Sequence, residues 1–229
     1  MPRHPLTEKE FLELDAASIA SICESAENDL LFVTVFVSAT MLIHAYTIGI
    51  FTMPLPDFDQ IPVVYGWYFP KVRGVIPIPP MEGSCFDDPP RSLKKSRQSM
   101  HLTTNQDYRR VVAECKDAPR NGKWIDDGIE KLYLELGDME VGYSIEVWDA
   151  ADHNELIGGL YGVRFGHFFA GESMFHKRSD ASKVALWHLV EVAPDLGIRM
   201  IDTQWPTAHL RRMGTESIPW QTYLEIITS

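Results

Sequence analysis

A run of 24 residues without Asp, Glu, Lys or Arg lies near the start of the chain, from Leu30 to Met53. Its length would suffice for a transmembrane helix. However, it contains polar residues such as Thr34 and His44, its first half is β-branched as in strands, and acidic residues flank both ends. We therefore predict a buried strand over Leu30 to Val37, then a helix capped by Ser38 and ending near Gly49, and no membrane span.

The cysteine and histidine content argues against a disulfide framework and a metal centre. The three cysteines, Cys23, Cys85 and Cys115, are far apart and never in C-x-x-C spacing. The eight histidines include no H-E-x-x-H pair. We expect a protein of the reducing cytoplasm that holds no metal ion.

The net charge of −11 argues against general electrostatic binding to nucleic acid, which requires many phosphates to be neutralised by Lys and Arg. Binding of nucleic acid through a local basic patch remains an alternative. Four cations fall within seven residues in "RSLKKSRQ", namely Arg91, Lys94, Lys95 and Arg97. This stretch is interpreted either as a phosphate-binding patch or as a solvated surface loop, the loop being favoured by composition alone.

The proline pattern divides the chain. The stretch "TEKE" forms a capping box at Thr7 and Glu10 and predicts a helix running to about Cys23. From Met53 to Pro90 the chain is rich in proline, which favours extended segments over helices. We expect a domain boundary here, with a small N-terminal domain over residues 1–71 and a larger domain over 72–229.

The larger domain shows clear periodicities. Apolar residues at helical spacing predict two amphipathic helices, around residues 108–115 and 129–136. Three antiparallel strands follow, "GYSIEVWDA", "ELIGGLYGVRF" and "HFFAGESMF". A helix capped by Ser179 or Asp180 runs to Pro194, and "GIRMIDTQW" is a further strand. The predicted class is α+β, a mostly antiparallel sheet flanked by helices.

Strand alternation brings polar residues together near strand ends. It places Asp202 and Gln204 on one face of their strand, and Glu172 and Met174 on one face of theirs. Two carboxylates and a carboxamide form a candidate site, although Asp202 could instead cap a turn and Glu172 could pair with an Arg. A G-x-G-x-x-G loop and a G-x-S-x-G elbow are both missing, which argues against a nucleotide phosphate loop and a serine hydrolase.

Six motifs then occur in a specific order: "GKWI" at 122–125, "YSIEVW" at 143–148, "GGLYGV" at 158–163, "GESMF" at 171–175, "ASK" at 181–183 and "IDTQ" at 201–204. In this order they resemble the bacterial leucyl/phenylalanyl-tRNA:protein transferases, over about Lys71 to Glu225. The resemblance implies a GNAT-like catalytic domain that binds an aminoacyl-tRNA where a GNAT enzyme holds acetyl-CoA. The R/Q-x-x-G-x-G/A loop of acetyl-CoA users is missing, which is consistent with that exchange.

The resemblance also implies roles for individual residues. Asp202 and Gln204 would orient the attacking amine and relay its proton, and Glu172 would lie close to the aminoacyl amino group or the acceptor. Trp124 would stack beside the terminal adenosine of the tRNA. The pocket for a Leu or Phe side chain would comprise Leu160, Phe169, Met174, Leu186 and Ile201. By periodicity alone, these same residues could be ordinary core.

The implied activity is transfer of leucine, less readily phenylalanine, from leucyl-tRNA to a free amine, by default the N-terminal Arg or Lys of a protein, as in the N-degron pathway. An aminoacyl ester is already activated, so neither ATP, a metal nor any other cofactor is expected. The four basic residues of "RSLKKSRQ" would contact the tRNA phosphates.

The N-terminal part departs from the family. Members usually carry G-G-D-L and then A-Y-R-x-G-I-F-P-W, of which "AYTIGIFTM" at 45–53 is a partial match. The basic residue of this pattern is missing, Thr52 replaces the proline and Met53 the tryptophan. We expect the altered segment Val33 to Met53 to govern acceptor choice. Two alternatives stay open: the same donor with a small-molecule amine acceptor, and a membrane-tethered or tRNA-binding protein without catalysis.

Overall fold

The fold is taken from a computed structural model that describes residues 5–58, 61–119 and 124–228. The helices are α1 (Glu8–Leu12), α2 (Ala16–Ser25), α3 (Ala39–Thr47), α4 (Arg91–Arg97), α5 (Tyr108–Asp117), α6 (Asp127–Asp138), α7 (Ala181–Val192), α8 (Ala208–Met213) and α9 (Trp220–Thr228). The strands are β1 (Leu30–Thr34), β2 (Phe51–Phe58), β3 (Ile61–Tyr68), β4 (Val72–Pro77), β5 (Met100–Thr104), β6 (Gly142–Asp149), β7 (Leu156–Phe165), β8 (Phe168–His176), β9 (Met200–Gln204) and β10 (Glu216–Pro219).

The uncharged run forms the core of the N-terminal part. It supplies β1, then α3, whose first turn is capped by the hydroxyl of Ser38 accepting from the backbone N–H of Met41 at 3.2 Å. Met41, Leu42 and Ala45 are buried. The predicted order of strand and helix is confirmed, with the strand ending at Thr34. No helix of the described residues has the length and apolarity needed to cross a bilayer.

The predicted N-terminal helix is two helices. The capping box at Thr7 and Glu10 is present, but α1 ends at Leu12. The carboxylate of Asp15 then accepts the backbone N–H of Ser18 at 2.8 Å and starts α2. A single helix to Cys23 was therefore wrong, because a second capping residue offers the backbone a new start.

The larger sheet has seven strands in the order β10-β4-β9-β8-β7-β6-β5. Its pairs are antiparallel except for β8 and β9, which are parallel and joined by α7. Helix α7 packs on one face of the sheet, while α5 and α6 pack on the other together with the N-terminal part. The predicted α+β class with a mostly antiparallel sheet is confirmed.

Close contact between α7 and the sheet explains why two of the motifs contain small residues. A Cβ on Gly158 would lie 2.5 Å from the Cβ of Ala181, the first residue of α7. Neither position has room for a larger side chain. The motifs "GGLYGV" and "ASK" thus bring the helix onto the strand.

The stretch from Arg91 to Arg97 is helix α4 rather than a surface loop. Its Leu93 is buried in the core that α7 covers, which holds the helix on the domain. The division into 1–71 and 72–229 stays a prediction. Val72 does begin a strand of the larger sheet, but one apolar cluster includes both Trp67 of the first sheet and Tyr161 of the second.

Candidate active site

Two neighbouring strands of the larger sheet each carry a β-bulge. In β8, Gly171 pairs with Gly162 and Ser173 with Tyr161, so Glu172 is left as an extra residue. In β9, Thr203 is left out in the same way, between residues that pair with β4. A bulge bends the strand and redirects its side chains. The sheet therefore presents Glu172 and the end of β9 side by side.

Beside these bulges lies a cavity of about 520 Å³. Its apolar wall includes all five residues of the predicted pocket, Leu160, Phe169, Met174, Leu186 and Ile201. The wall also contains Leu189 and Leu210, which were not predicted to take part. Glu172 and Gln204 line the same cavity. An amino acid whose apolar side chain fills the cavity would therefore place its polar backbone groups near a carboxyl and a carboxamide.

Glu172 is buried, with 9% of its surface exposed, and its hydrogen-bond donors are neutral groups. The hydroxyls of Tyr46 and Tyr133 donate to its two carboxylate oxygens at 2.9 and 2.6 Å. The side-chain amide of Gln204 lies 3.4 and 3.5 Å from the same oxygens. Burial raises the pKa of Glu172 to about 7, against the lowering effect of the tyrosine hydrogen bonds and with a smaller raising effect from the charge of Asp202.

Asp202 does not line the cavity. Its carboxylate accepts two hydrogen bonds from Arg73, from Nε at 2.8 Å and Nη2 at 2.5 Å, and a third from the hydroxyl of Tyr223 at 2.9 Å. Arg73 and Asp202 are 2% and 1% exposed. The expectation that Asp202 and Gln204 share a face was wrong, because the bulge at Thr203 interrupts the alternation.

Asp202 nevertheless controls the backbone at Gln204. That residue has a positive φ of 61°, in the left-handed region that non-glycine residues seldom adopt. Its backbone N–H donates to Oδ1 of Asp202 at 2.8 Å. Strained backbone of this kind persists where the surroundings hold it, often at functional sites. Asp202 is thus placed to fix the direction in which the Gln204 side chain leaves the strand.

Several residues of this site were missed in the sequence. Arg73 and Tyr223 come from β4 and α9, and Tyr133 from α6, and no motif links them to the strands that they contact. Tyr46 is the exception, since it lies in "AYTIGIFTM", where the family resemblance persists. That partial match was the available signal.

Trp124 lies behind the Glu172 end of the cavity without lining it. Its ring meets the ring of Tyr133 edge-on, with centroids 6.3 Å apart and an interplanar angle of 89°. Tyr133 in turn donates to Glu172. Gly122 and Lys123 of the "GKWI" motif lie outside the described residues.

The four basic residues of α4 lie outside the cavity and differ among themselves. Arg97 makes a bidentate ion pair with Glu191 at 2.6 and 2.7 Å and stacks over Trp187. Lys94 pairs with Asp88 at 2.8 Å. Arg91 and Lys95 are exposed, and neither has an ion-pair partner among the described residues. Two cations of α4 are therefore available to an anionic ligand.

Among the described residues, no three His, Cys, Asp or Glu side chains converge as a set of metal ligands would. The chemistry available to the site is that of a buried carboxyl able to gain or lose a proton near neutral pH, next to a carboxamide. Such a pair can accept a proton and hold a polar substrate group beside an apolar pocket.

Distant likenesses exist among solved structures. The crystal structure of FemX superposes with a TM-score of 0.45 at 10% identity, covering 96% of this chain and 80% of that one. A tandem GNAT protein from the clavulanic acid biosynthesis pathway superposes with a TM-score of 0.38 at 12% identity, covering 77% and 57%.

Sequence relatives are much closer. The leucyl/phenylalanyl-tRNA–protein transferase of Maricaulis maris is 41% identical over 191 residues, which are 82% of this chain and 83% of the relative. The protein of the same description from Nitrobacter winogradskyi is 40% identical over 195 residues, 83% and 81% of the two chains. The sequence profile of the leucyl/phenylalanyl-tRNA protein transferase family matches residues 87–228. The chain therefore belongs to this family of aminoacyltransferases.

Proposed function

We propose that this protein transfers leucine, and less readily phenylalanine, from aminoacyl-tRNA to the N-terminal Arg or Lys of a protein in the cytoplasm. The observation that carries the proposal is the apolar cavity ending at Glu172 and Gln204. Its wall suits a branched or aromatic side chain, and Met174 can adapt to either because its thioether is flexible. Family membership supports the donor and the class of reaction.

The reaction requires the neutral α-amine of the acceptor to attack the ester carbonyl of the aminoacyl group. A carbon–nitrogen bond forms, and the bond from the carbonyl carbon to the ribose oxygen breaks. In this scheme the Glu172 carboxylate takes the proton that the amine loses and returns it to the departing ribose oxygen. A carboxyl whose pKa is about 7 suits both steps at neutral pH.

Gln204 would hold the reacting groups in place. Its amide lies within 3.5 Å of both oxygens of Glu172 and also lines the cavity. It can therefore donate to the carbonyl oxygen as negative charge develops there. Asp202 acts through Gln204, whose backbone it holds, and so it is a positioning residue in this scheme.

The test is incubation with radiolabelled leucyl-tRNA and matched amine acceptors. Peptides beginning with Arg or Lys should gain leucine, while the same peptides acetylated at the N-terminus should not. Glu172→Gln should lower the rate about 100-fold or more, as expected for loss of a general base. Glu114→Gln, at a carboxylate that pairs with Lys177 outside the cavity, is the matched control.

Each alternative has its own result in this assay. Transfer to small cationic amines but not to peptides would replace the protein acceptor by a small molecule. Binding of leucyl-tRNA without transfer to any amine would reject the enzymatic proposal. Exchanging residues 33–53 for the G-G-D-L and P-W pattern of the family tests whether this segment selects the acceptor, because equal relative rates in both proteins would show that it does not.

A further inference from the structure

The mouth of the cavity carries basic side chains that the proposed reaction does not use. His176 ends β8, Lys183 lies in the first turn of α7, and His209 and Arg212 belong to α8. His176 and His209 line the cavity together with Ser182. We call His176, Lys183, His209 and Arg212 the cationic rim.

The members of the rim lie within electrostatic reach of one another. His176 Nδ1 is 3.5 Å from the hydroxyl of Ser182, the neighbour of Lys183. The pKa of His209 lies below its usual value because the largely exposed ring is desolvated on one side, and then because of the positive charges of Lys183, Arg212 and His176. Neighbouring positive charges disfavour the protonated form of His209, and an anion bound among these side chains would favour it.

Little negative charge offsets the rim. One carboxylate oxygen of Asp180 accepts a hydrogen bond from Lys183 Nζ at 2.7 Å. The other accepts a hydrogen bond from the hydroxyl of Ser96 on α4 at 3.0 Å. Arg212 donates from Nε to the backbone carbonyl of Ala208, a neutral group. His176, His209 and Arg212 are exposed. With histidine counted as neutral, as in the net charge of −11, Lys183 and Arg212 outweigh Asp180 by one positive charge beside a ligand cavity.

One member of the rim, Lys183, lies on α7 close to both α4 and the cavity wall. The contact between Ser96 and Asp180 puts α4 against the start of α7, and Leu186 of α7 is part of the cavity wall. A nucleic acid strand that leaves the cavity toward the free cations of α4 along α7 would therefore pass Lys183.

We propose that the cationic rim binds the phosphate on the 5′ side of the aminoacylated nucleoside. This inference rests on the proposed function, since it assumes that the cavity holds the aminoacyl group of that nucleoside. The rim then distinguishes a nucleotide from a nucleoside, while the apolar wall distinguishes the amino acid.

The test uses two unreactive donor analogues in which leucine is joined by an amide to 3′-amino-3′-deoxyadenosine, one with a 5′-phosphate and one without. Calorimetry should show that the phosphorylated analogue binds about tenfold more tightly, as expected for one or two charge-assisted hydrogen bonds. Lys183→Gln combined with Arg212→Gln should abolish this difference and leave binding of the unphosphorylated analogue unchanged.

Two further variants guard against effects on folding. Arg212→Gln alone changes an exposed side chain and should reduce the difference in part. Lys177→Gln removes a cation that is paired with Glu114, and should preserve the difference in full. Equal affinity of the two analogues for the unmodified protein, or a difference that survives in the double variant, would overturn the phosphate site alone. If neither analogue binds, the donor cavity is wrong and the proposed function fails with it.

Discussion

At the scale of single residues, Glu172 and Asp202 show how two carboxylates in one site acquire different tasks. Glu172 is buried among neutral donors, so its charged form is costly and its pKa is raised to about 7. Asp202 is buried beside a guanidinium with which it forms two hydrogen bonds. The first group is thus suited to exchanging a proton at neutral pH, whereas the second is part of a buried ion pair.

The raised pKa of Glu172 predicts a pH dependence of stability. Between its ordinary value of 4.5 and about 7, the unfolded chain loses this proton while the folded chain keeps it. Rising pH should therefore lower the free energy of unfolding by about 3 kcal/mol through this group. Urea unfolding of the unmodified protein and of Glu172→Gln at pH 5 and pH 8 measures the effect. Equal pH dependence in the two proteins would contradict it.

The buried pair of Arg73 and Asp202 predicts a large loss of stability in Asp202→Ala. The substitution leaves the guanidinium buried without its partner, which should cost about 3–5 kcal/mol. Replacing both residues, Arg73→Met with Asp202→Leu, should be less harmful than Asp202→Ala. A double-mutant cycle by urea unfolding measures the coupling, and additive effects would exclude it.

At the scale of elements, the site is assembled from segments that are far apart in the chain. Helix α3 supplies Tyr46, α6 supplies Tyr133, and the bulged strands β8 and β9 supply Glu172 and Gln204. Bulges allow this because each turns a side chain away from regular alternation. Helix α7 covers the other face and closes the cavity with Leu186.

The contact from α3 predicts a shift in the pH profile of transfer. The hydroxyl of Tyr46 donates to Glu172 and lowers its pKa, so Tyr46→Phe should raise that pKa above about 7. Because the scheme requires the carboxylate form, the rising limb of rate against pH should move to higher pH. Tyr68→Phe, at a half-buried tyrosine whose ring contacts Phe51 and Trp205, is the control. If the three proteins have the same profile of rate against pH, the hydrogen bond from Tyr46 does not set the pKa of Glu172.

Two substitutions of Gln204, at the end of β9, should separate an effect on activity from an effect on stability. Gln204→Asn keeps an amide and suits the left-handed backbone, so the free energy of unfolding should stay within about 0.5 kcal/mol. The shorter side chain cannot reach the same position, and the transfer rate should fall about 100-fold. Gln204→Val should destabilise the fold, because a β-branched residue tolerates positive φ poorly. A normal rate in Gln204→Asn would remove this residue from the reaction.

At the scale of the whole molecule, the charge distribution determines how a polyanion can approach. The chain is acidic overall, so a tRNA must be attracted locally. The exposed face of α4 offers Arg91 and Lys95, while Arg97 is held by Glu191 and Trp187.

Neutralising Arg91 and Lys95 together should weaken leucyl-tRNA binding and reduce the slope of log affinity against log salt by about two at most. Arg97→Gln should instead act on stability, by loosening α4 from α7. The double variant Arg109→Gln with Lys131→Gln, which changes two cations on α5 and α6, is the control of equal charge. Filter binding at several salt concentrations measures the slopes, and equal slopes for the two double variants would disprove a specific role of α4.

The local patterns of the sequence predicted most elements of the fold. The Ser38 cap, the helical spacing in α5 and α6 and the alternation in β6 to β8 depend on neighbours a few residues away, so they can be seen in a single chain. The motif order indicated the family, and with it the five residues of the apolar wall.

Only the tertiary structure decided how the polar site is arranged. The partners of Asp202 and Glu172 lie 129 and 126 residues away in sequence, at Arg73 and Tyr46, and no local pattern relates positions so far apart. The bulge at Thr203, which separates Asp202 from Gln204, and the bulge at Glu172 depend on the register of neighbouring strands, which a strand's own alternation does not contain. The sequence by itself therefore indicated the family and five residues of the cavity wall, whereas long-range pairing decided that Glu172 is buried among neutral donors and that Asp202 is buried against Arg73.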